Sequence, residues 1–492
     1  MSFRDVGRSA LLGLLILISP GFCATVHAGL PYAEPARVGM DAEVLTRIDD
    51  VMREAISAHE TPGGVVLITR RGHIVFAKAY GRRALEPHRE RATLDTLYDL
   101  ASLTKVVATT PAVLRLVEQG RLRLTDRVSV YLPEWRHGVE RVGPNKRAEV
   151  SARHGCSTED RNADKNADKN AHGDPEAITL RHLLTHTSGL DDPSTSFFSA
   201  LGTDRQTDFD RPTVRRQLVA AIFSRPLLFA PGSAFFYSDL NFLLLGEIVE
   251  RVSGMGLDEF VTRELFEPLS MRDTRFRPPR TWADRIAPTI WTGLQLFKSP
   301  RRRARRMLRT EASLQNVAML SGVAGHAGLF SSAADLAVFC QMLLAGGQHE
   351  GTRILSPLSV AAMSRDQAQL ASGELRGYGW DIRTSWSTPR GDLFAGGFGH
   401  TGWSGGSLWL VPDEQIAIIV LTNRIHPRGR GSSSPLRGKI ANVVAASVTA
   451  AKSGPARSDD QELSRLAKES SSAVTSSADG AASKPTSNKQ AP

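Results

Sequence analysis

Four short apolar runs, two near the start of the chain and two near its end, constrain the fold more than any other feature of this sequence. Gly63–Thr69 carries no charge, Arg71-Gly72 makes a tight turn, and His73–Tyr80 returns as a second run, the pattern of a β-hairpin. Ser407–Val411 and Gln415–Thr422, joined by Pro412-Asp413-Glu414, read the same way. A lone hairpin is marginal in water, and the sequence between the two pairs is mostly of helical period. The expected fold is therefore α+β. One antiparallel sheet is built from the N- and C-terminal segments with flanking helices, and the middle of the chain forms a mostly α-helical lobe. The seam between two such lobes is where a pocket is expected.

Helical patterns occupy the rest. Asp41–Ala58 is amphipathic, with Val44, Ile48, Val51, Met52 and Ala55 on one stripe and Asp41 placed as N-cap. Thr93–Leu100 leads into a helix at Ser102, which Pro111 should kink or restart over Ala112–Gln119 before Gly120 stops it. Leu240–Val252 (stopped by Gly254), Ala334–Leu344 and Ile440–Thr449 complete the set. With 492 residues, 41% apolar and 23% charged, the chain can bury a sizeable core, here one folded domain over 35–450.

Three segments stand apart from that domain. In residues 1–28, Arg4 and Arg8 precede the apolar run Leu11–Ile18, and Val26-His27-Ala28 offers small residues for cleavage, the pattern of a secretory signal peptide. The run is too short for a stable span, and Pro20-Gly21-Phe22 before Cys23 does not fit a lipidation site. A periplasmic or secreted protein is expected, the alternative being a membrane anchor formed by an uncleaved signal. Residues 136–177 are polar, with a tandem repeat at 162–169, and read as a mobile insert. Residues 453–492 read as a disordered tail. Cys340 lies in an apolar helical run, where a buried thiol is the ordinary case. Cys156 lies in the insert. The formal charge of +10 is spread along the chain as arginine, and Arg301–Arg306 reads as a solvated loop, so no nucleic-acid partner is expected.

Three features could carry chemistry. Ser102 and Lys105 are three residues apart, which on a helix stacks their side chains with β-carbons about 5–6 Å apart. A lysine amine can then act on a serine hydroxyl. Tyr237-Ser238-Asp239 follows a Pro231-Gly232 turn, and Gly399-His400-Thr401-Gly402-Trp403-Ser404-Gly405-Gly406 runs directly into a strand. Gly402–Gly406 also fits the Gly-x-Ser-x-Gly elbow of α/β-hydrolases. No helical run starts after Ser404, however, and only Asp413 and His426 follow as partners, so that match is accidental.

In this order the three features resemble the serine β-lactamase and penicillin-binding-protein superfamily, in its class C-like branch with D-alanyl-D-alanine carboxypeptidase and esterase relatives. That branch has Ser-x-x-Lys, Tyr-x-Asn and Lys/His-x-Gly. Thr61–Gly64, Tyr98–Ser102, Leu183–Leu190, Ala230–Gly232, Ala324–Leu329 and Leu421–Asn423 are similar to family stretches as well. The resemblance covers roughly 40–450 outside the insert. It implies a β-lactamase/transpeptidase-like fold and an acyl-serine mechanism. Ser102 would be the nucleophile, with Lys105 assisting its deprotonation and Tyr237 acting as general base and then acid. The backbone N–H groups of Ser102 and Trp403 would form the oxyanion hole, typically worth ~2.7–4 kcal/mol per donor. Asp239, His400, Thr401 and Gly402 would contact substrate. A cation beside Tyr237 favours phenolate and burial favours a neutral lysine, so the pair could share a proton with Ser102.

Two residues depart from the pattern. Asp239 replaces an asparagine, removing an amide donor and placing a carboxylate where it could keep Lys105 charged. His400 replaces the lysine of many β-lactamases, which weakens attraction for a substrate carboxylate at neutral pH. Both bear on efficient β-lactam hydrolysis more than on acylation. The expected partner is a small molecule or peptide, such as a cell-wall peptide, a β-lactam or an ester. An esterase, or a sensor acylated by penicillin with little turnover, are the alternatives. A monomer is expected, and no cofactor or metal motif is found.

Overall fold

The computed structural model describes residues 29–136, 174–192, 211–291, 307–314, 317–318, 320–385, 387–427 and 432–449. The proposed signal segment, nearly all of the insert with Cys156, the arginine run at 301–306 and the tail lie outside the described residues.

Both chain ends do build one sheet. Its eight strands are β1 (Gly63–Arg70), β2 (His73–Ala84), β3 (Glu90–Arg91), β4 (Leu375–Arg376), β5 (Asp381–Arg383), β6 (Phe398–Thr401), β7 (Ser407–Val411) and β8 (Ile416–Thr422). They lie in the order β3-β2-β1-β8-β7-β6-β5-β4, each pair antiparallel. β1 and β8 pair over Gly64↔Thr422 to Arg70↔Ile416, which brings the first and last apolar runs side by side at the centre. The strand period of two then divides the side chains between two cores. Val65, Leu67, Leu408, Leu410, Ile419 and Leu421 face the helical lobe. Val66, Ile68, Trp409, Val411, Ile418 and Val420 face the helices from the chain ends. Each such aliphatic side chain contributes about 1.5–3 kcal/mol on burial, which is why apolar runs without alternation form these central strands.

The helices that position the site are α1 (Ala42–Thr46), α2 (Ile48–Ser57), α3 (Thr110–Glu118), α4 (Leu180–Thr185), α5 (Asp239–Ser253), α6 (Ala333–Leu344) and α7 (Ser434–Ala446). Asp41 caps α1 by accepting the N–H groups of Glu43 and Val44, as its placement predicts, but the expected single helix is divided at Arg47. The C-terminal helix begins at Ser434 with Pro435 in its first turn, earlier than the apolar pattern alone indicates. Gly254, at φ 76°, ends α5.

The largest difference lies at Ser102. A helix does restart at Pro111, as one of the two expected alternatives has it, but the segment before it is not α-helical. Ala101–Leu103 is a 3-10 turn, Lys105–Thr109 is π-helical, and α3 follows with Pro111 in its first turn, where a missing N–H costs no hydrogen bond. Short π segments are frequent at functional sites. Cys340 is a buried free thiol, as expected of its helix. No helix among the described residues is long and apolar enough to cross a membrane.

Candidate active site

Ser102 and Lys105 sit between the helical lobe and β6. Ala101, at φ 46°, adopts a left-handed conformation that costs an alanine about 1–3 kcal/mol. The Asp99 carboxylate holds that bend by accepting the Ala101 N–H at 2.9 Å, while its other oxygen accepts the Ser313 N–H and hydroxyl.

Lys105 is fully buried, and its ammonium donates three hydrogen bonds: to Ser102 Oγ at 3.0 Å, Asp239 Oδ1 at 2.7 Å and the His326 carbonyl at 3.1 Å. With acceptors on three sides, one of them a carboxylate, this shell suits the charged form. Burial pulls the Lys105 pKa down, but the Asp239 carboxylate and Tyr237 together outweigh it and the net direction is up. The neutral amine that burial alone would favour is therefore not the resting form.

Tyr237 is hydrogen-bonded to Lys105 and Ser102, and the lysine nitrogen is 5.0 Å from its ring centroid. Burial raises the Tyr237 pKa more than the Lys105 charge lowers it. At rest the cluster holds a phenol, an ammonium and the Asp239 carboxylate. Asp239 is the first residue of α5, where the helix dipole favours an anion. Burial opposes its ionisation, but Lys105 overcomes that and keeps its pKa below the usual range.

His400 is neutral. Burial, reinforced by Arg376 and Lys105, holds its pKa well below 6.5, and its Nδ1 lies 2.7 Å from the Thr401 carbonyl, which fixes Nδ1 as the donor. It brings no positive charge toward a substrate carboxylate. Its ring lies 5.9 Å from that of Tyr237. Thr401 ends β6, an inner strand of the sheet rather than an edge.

Gly402 and Trp403 open the loop that follows. A β-carbon on Gly402 would lie 2.5 Å from the Leu100 carbonyl, so the close approach of this loop to the Ser102 segment requires glycine. Ser404, the centre of the rejected elbow motif, instead donates to the Asp99 carbonyl at 2.6 Å and ties the two segments together. Among the described residues no backbone carbonyl takes up the Trp403 N–H.

Four residues, three of them buried, escaped sequence reasoning. His186, in the left-handed position that ends α4, accepts the Phe236 N–H through its carbonyl at 3.0 Å and the Ser238 N–H through Nδ1 at 3.2 Å. Its ring stacks on Tyr237 at 4.5 Å, so one residue grips the tyrosine turn on both sides. Asp192 accepts the Asp239 N–H at 3.2 Å; burial, then the neighbouring Asp239 charge, push its pKa up to about 7. Arg376 on β4 stacks over Phe235 at 5.2 Å. His326 lies fully buried, and neither ring nitrogen has a hydrogen-bond partner among the described residues. The only sequence signal was that His186 and His326 fall in stretches similar to the family's, which assigned them no chemistry. Among the described residues no cluster of potential metal ligands occurs.

A sheet closed by both chain ends, a helical lobe, and a serine–lysine–tyrosine cluster at their seam define the β-lactamase/transpeptidase architecture. The chain belongs to the β-lactamase family, whose sequence profile matches residues 48–441, and thus to the superfamily of β-lactamases and penicillin-binding proteins. A Salmonella typhimurium protein described as "Putative D-alanyl-D-alanine carboxypeptidase" is 29% identical over 432 residues, 84% of this chain and 90% of the relative. Among solved structures, "EstCE1, a hydrolase with promiscuous acyltransferase activity" superposes with a TM-score of 0.60 at 24% identity, covering 82% of this chain and 99% of that one. A class C β-lactamase from Rhodobacter sphaeroides gives a TM-score of 0.54 at 19% identity, covering 80% of this chain and 98% of that one. Family membership makes the chain a hydrolase of amide or ester bonds.

Proposed function

We propose that the protein is an exported serine hydrolase that forms an acyl-enzyme on Ser102 from D-alanyl-D-alanine-type peptides, with β-lactams as reactive mimics. The observation that carries this reading is the Lys105 ammonium, bonded at once to Ser102 Oγ, Asp239 and the His326 carbonyl, with Tyr237 against the same serine. Tyr237 first gives up its phenolic proton to solvent; Ser102 Oγ then attacks the acyl carbon as its own proton passes to the phenolate, which hands that proton to the leaving group. Lys105 stabilises phenolate as that transfer occurs. The N–H groups of Ser102 and Trp403 receive the oxyanion. Water then cleaves the ester by the same route in reverse. The 29% identity to the Salmonella protein supports the peptide substrate.

A second reading, an esterase of the same fold, has its own support. Asp239 places an anion, and the neutral His400 brings no charge of its own, where a substrate carboxylate would be held. Parallel assays of a D-alanyl-D-alanine peptide, a penicillin and p-nitrophenyl butyrate separate the two. Release of D-alanine that disappears in Ser102→Ala supports the peptidase. Hydrolysis of the ester alone overturns it in favour of the esterase.

A further inference from the structure

α7 carries two basic side chains that behave oppositely. Lys439 is exposed and pairs with Glu54. Arg437, two residues earlier, points inward, with only 6% of the residue exposed. Its Nη2 donates to the Gly402 carbonyl at 3.0 Å and to the Gly406 carbonyl at 2.9 Å, and its buried Nε has no partner among the described residues. Among the described residues no carboxylate contributes to its electrostatics; burial and then Arg424 pull its pKa down to about 9. A buried guanidinium with no acidic partner is costly, and two loop carbonyls could have been satisfied by neutral donors.

What distinguishes Gly402 O is the peptide it belongs to. The same amide plane carries the Trp403 N–H. In a trans peptide C=O and N–H point in opposite directions, so the carbonyl held by Arg437 turns the Trp403 N–H away from α7. A charged donor on a carbonyl also draws electron density from the amide nitrogen and strengthens its N–H as a donor, since hydrogen bonds in series polarise one another. The surrounding loop is closed by the Gly402 N–H on the Gly406 carbonyl at 2.8 Å and the Gly405 N–H on the Gly402 carbonyl at 3.0 Å. Ser404 pins that loop to Asp99, three residues before Ser102.

We propose that the buried guanidinium of Arg437 orients and polarises the Gly402–Trp403 peptide, presenting the Trp403 N–H to the oxyanion that forms when Ser102 attacks an acyl carbon. Arg437 is thus a positioning residue: it touches neither substrate nor Ser102 and acts through one amide. This inference rests on the acyl-serine reading given above.

Arg437→Lys and Arg437→Gln test it, because both can donate to a carbonyl but only lysine is charged. Each is assayed with p-nitrophenyl butyrate and with phenylboronic acid, whose serine adduct places an oxygen in the oxyanion position. Thermal midpoints establish that each variant is folded. The expected result is a kcat loss of about tenfold or more in Arg437→Gln, below the 10²–10³ of deleting a hole donor outright. KM should stay within about twofold, boronate affinity should fall in parallel with kcat, and Arg437→Lys should recover much of the loss. Equal kcat in the glutamine variant and wild type, or kcat and KM changing together with equal loss in both variants, overturns the proposal. If wild type itself hydrolyses none of the ester, peptide or penicillin and forms no boronate adduct, the acyl-serine reading fails and takes this inference with it. A wild type that turns over beside an unaffected glutamine variant overturns the role of Arg437 alone.

Discussion

At the scale of single residues the site is governed by which charges are paired. Asp239 holds the Lys105 proton, and Tyr237 remains a phenol because burial outweighs the neighbouring ammonium. Removing the Asp239 charge lowers the Lys105 pKa, so a base form becomes available at lower pH. Asp239→Asn should shift the acid limb of the kcat/KM profile downward by about one unit or more, the usual effect of one adjacent charge. An unmoved or raised limb would show that this ion pair does not control the reacting proton. Asp192 makes the converse prediction. Its folded pKa of about 7 lies above the usual carboxylate value, so the folded state holds a proton that the unfolded chain has lost. Stability is therefore lost as pH rises from about 4 to about 7. Asp192→Asn keeps an acceptor for the Asp239 N–H and removes that titration. Its gain in thermal midpoint should grow from pH 4 to pH 7 and level off above; a gain independent of pH would remove Asp192 from the electrostatics.

At the scale of elements, the site depends on two segments pressed against α5. Gly325 abuts Gly246 of α5, and a β-carbon on Gly325 would lie 2.1 Å from the Phe242 carbonyl. The Gly325 carbonyl also accepts the Thr109 hydroxyl at 2.6 Å, and the next carbonyl, His326, accepts from Lys105. Gly325→Ala must push the helix bearing Asp239 away from the segment bearing His326. It should destabilise by about 1–3 kcal/mol, the range for overpacking, and lower kcat as well; an unchanged denaturation midpoint would contradict this packing. The elements also explain what the sequence made legible. Ser102, Lys105, Tyr237 and Asp239 lie in contiguous motifs at the mouths of periodic segments, and the structure brings all four together. β4 and β5 are too short to show any period, so Arg376 could not be placed beside Phe235 from its neighbours in sequence. His186 reaches Tyr237 only because a left-handed helix end meets a distant turn, and Arg437 reaches Gly402 only because α7 packs behind the sheet.

For the whole molecule, the pairing of β1 with β8 is the organising contact. Four apolar runs were enough to foresee one sheet made from both chain ends, because runs buried on both faces must be central and neither hairpin is stable alone. The ends meet again where the Thr449 N–H donates to the Gly39 carbonyl at 2.8 Å. The 3-10 and π turns around Ser102 were not foreseeable from period, since they follow from the lobe and the sheet both gripping one short segment: Thr104 accepts the Leu329 N–H on one side, and Ser404 reaches Asp99 on the other. The most direct measurement is intact-mass spectrometry of wild type and Ser102→Ala after incubation with a fluorescent penicillin, followed by peptide mapping. The expected result is one equivalent of adduct on the Ser102 peptide of wild type, at least transiently, and none on the variant. Equal labelling of both proteins would contradict it.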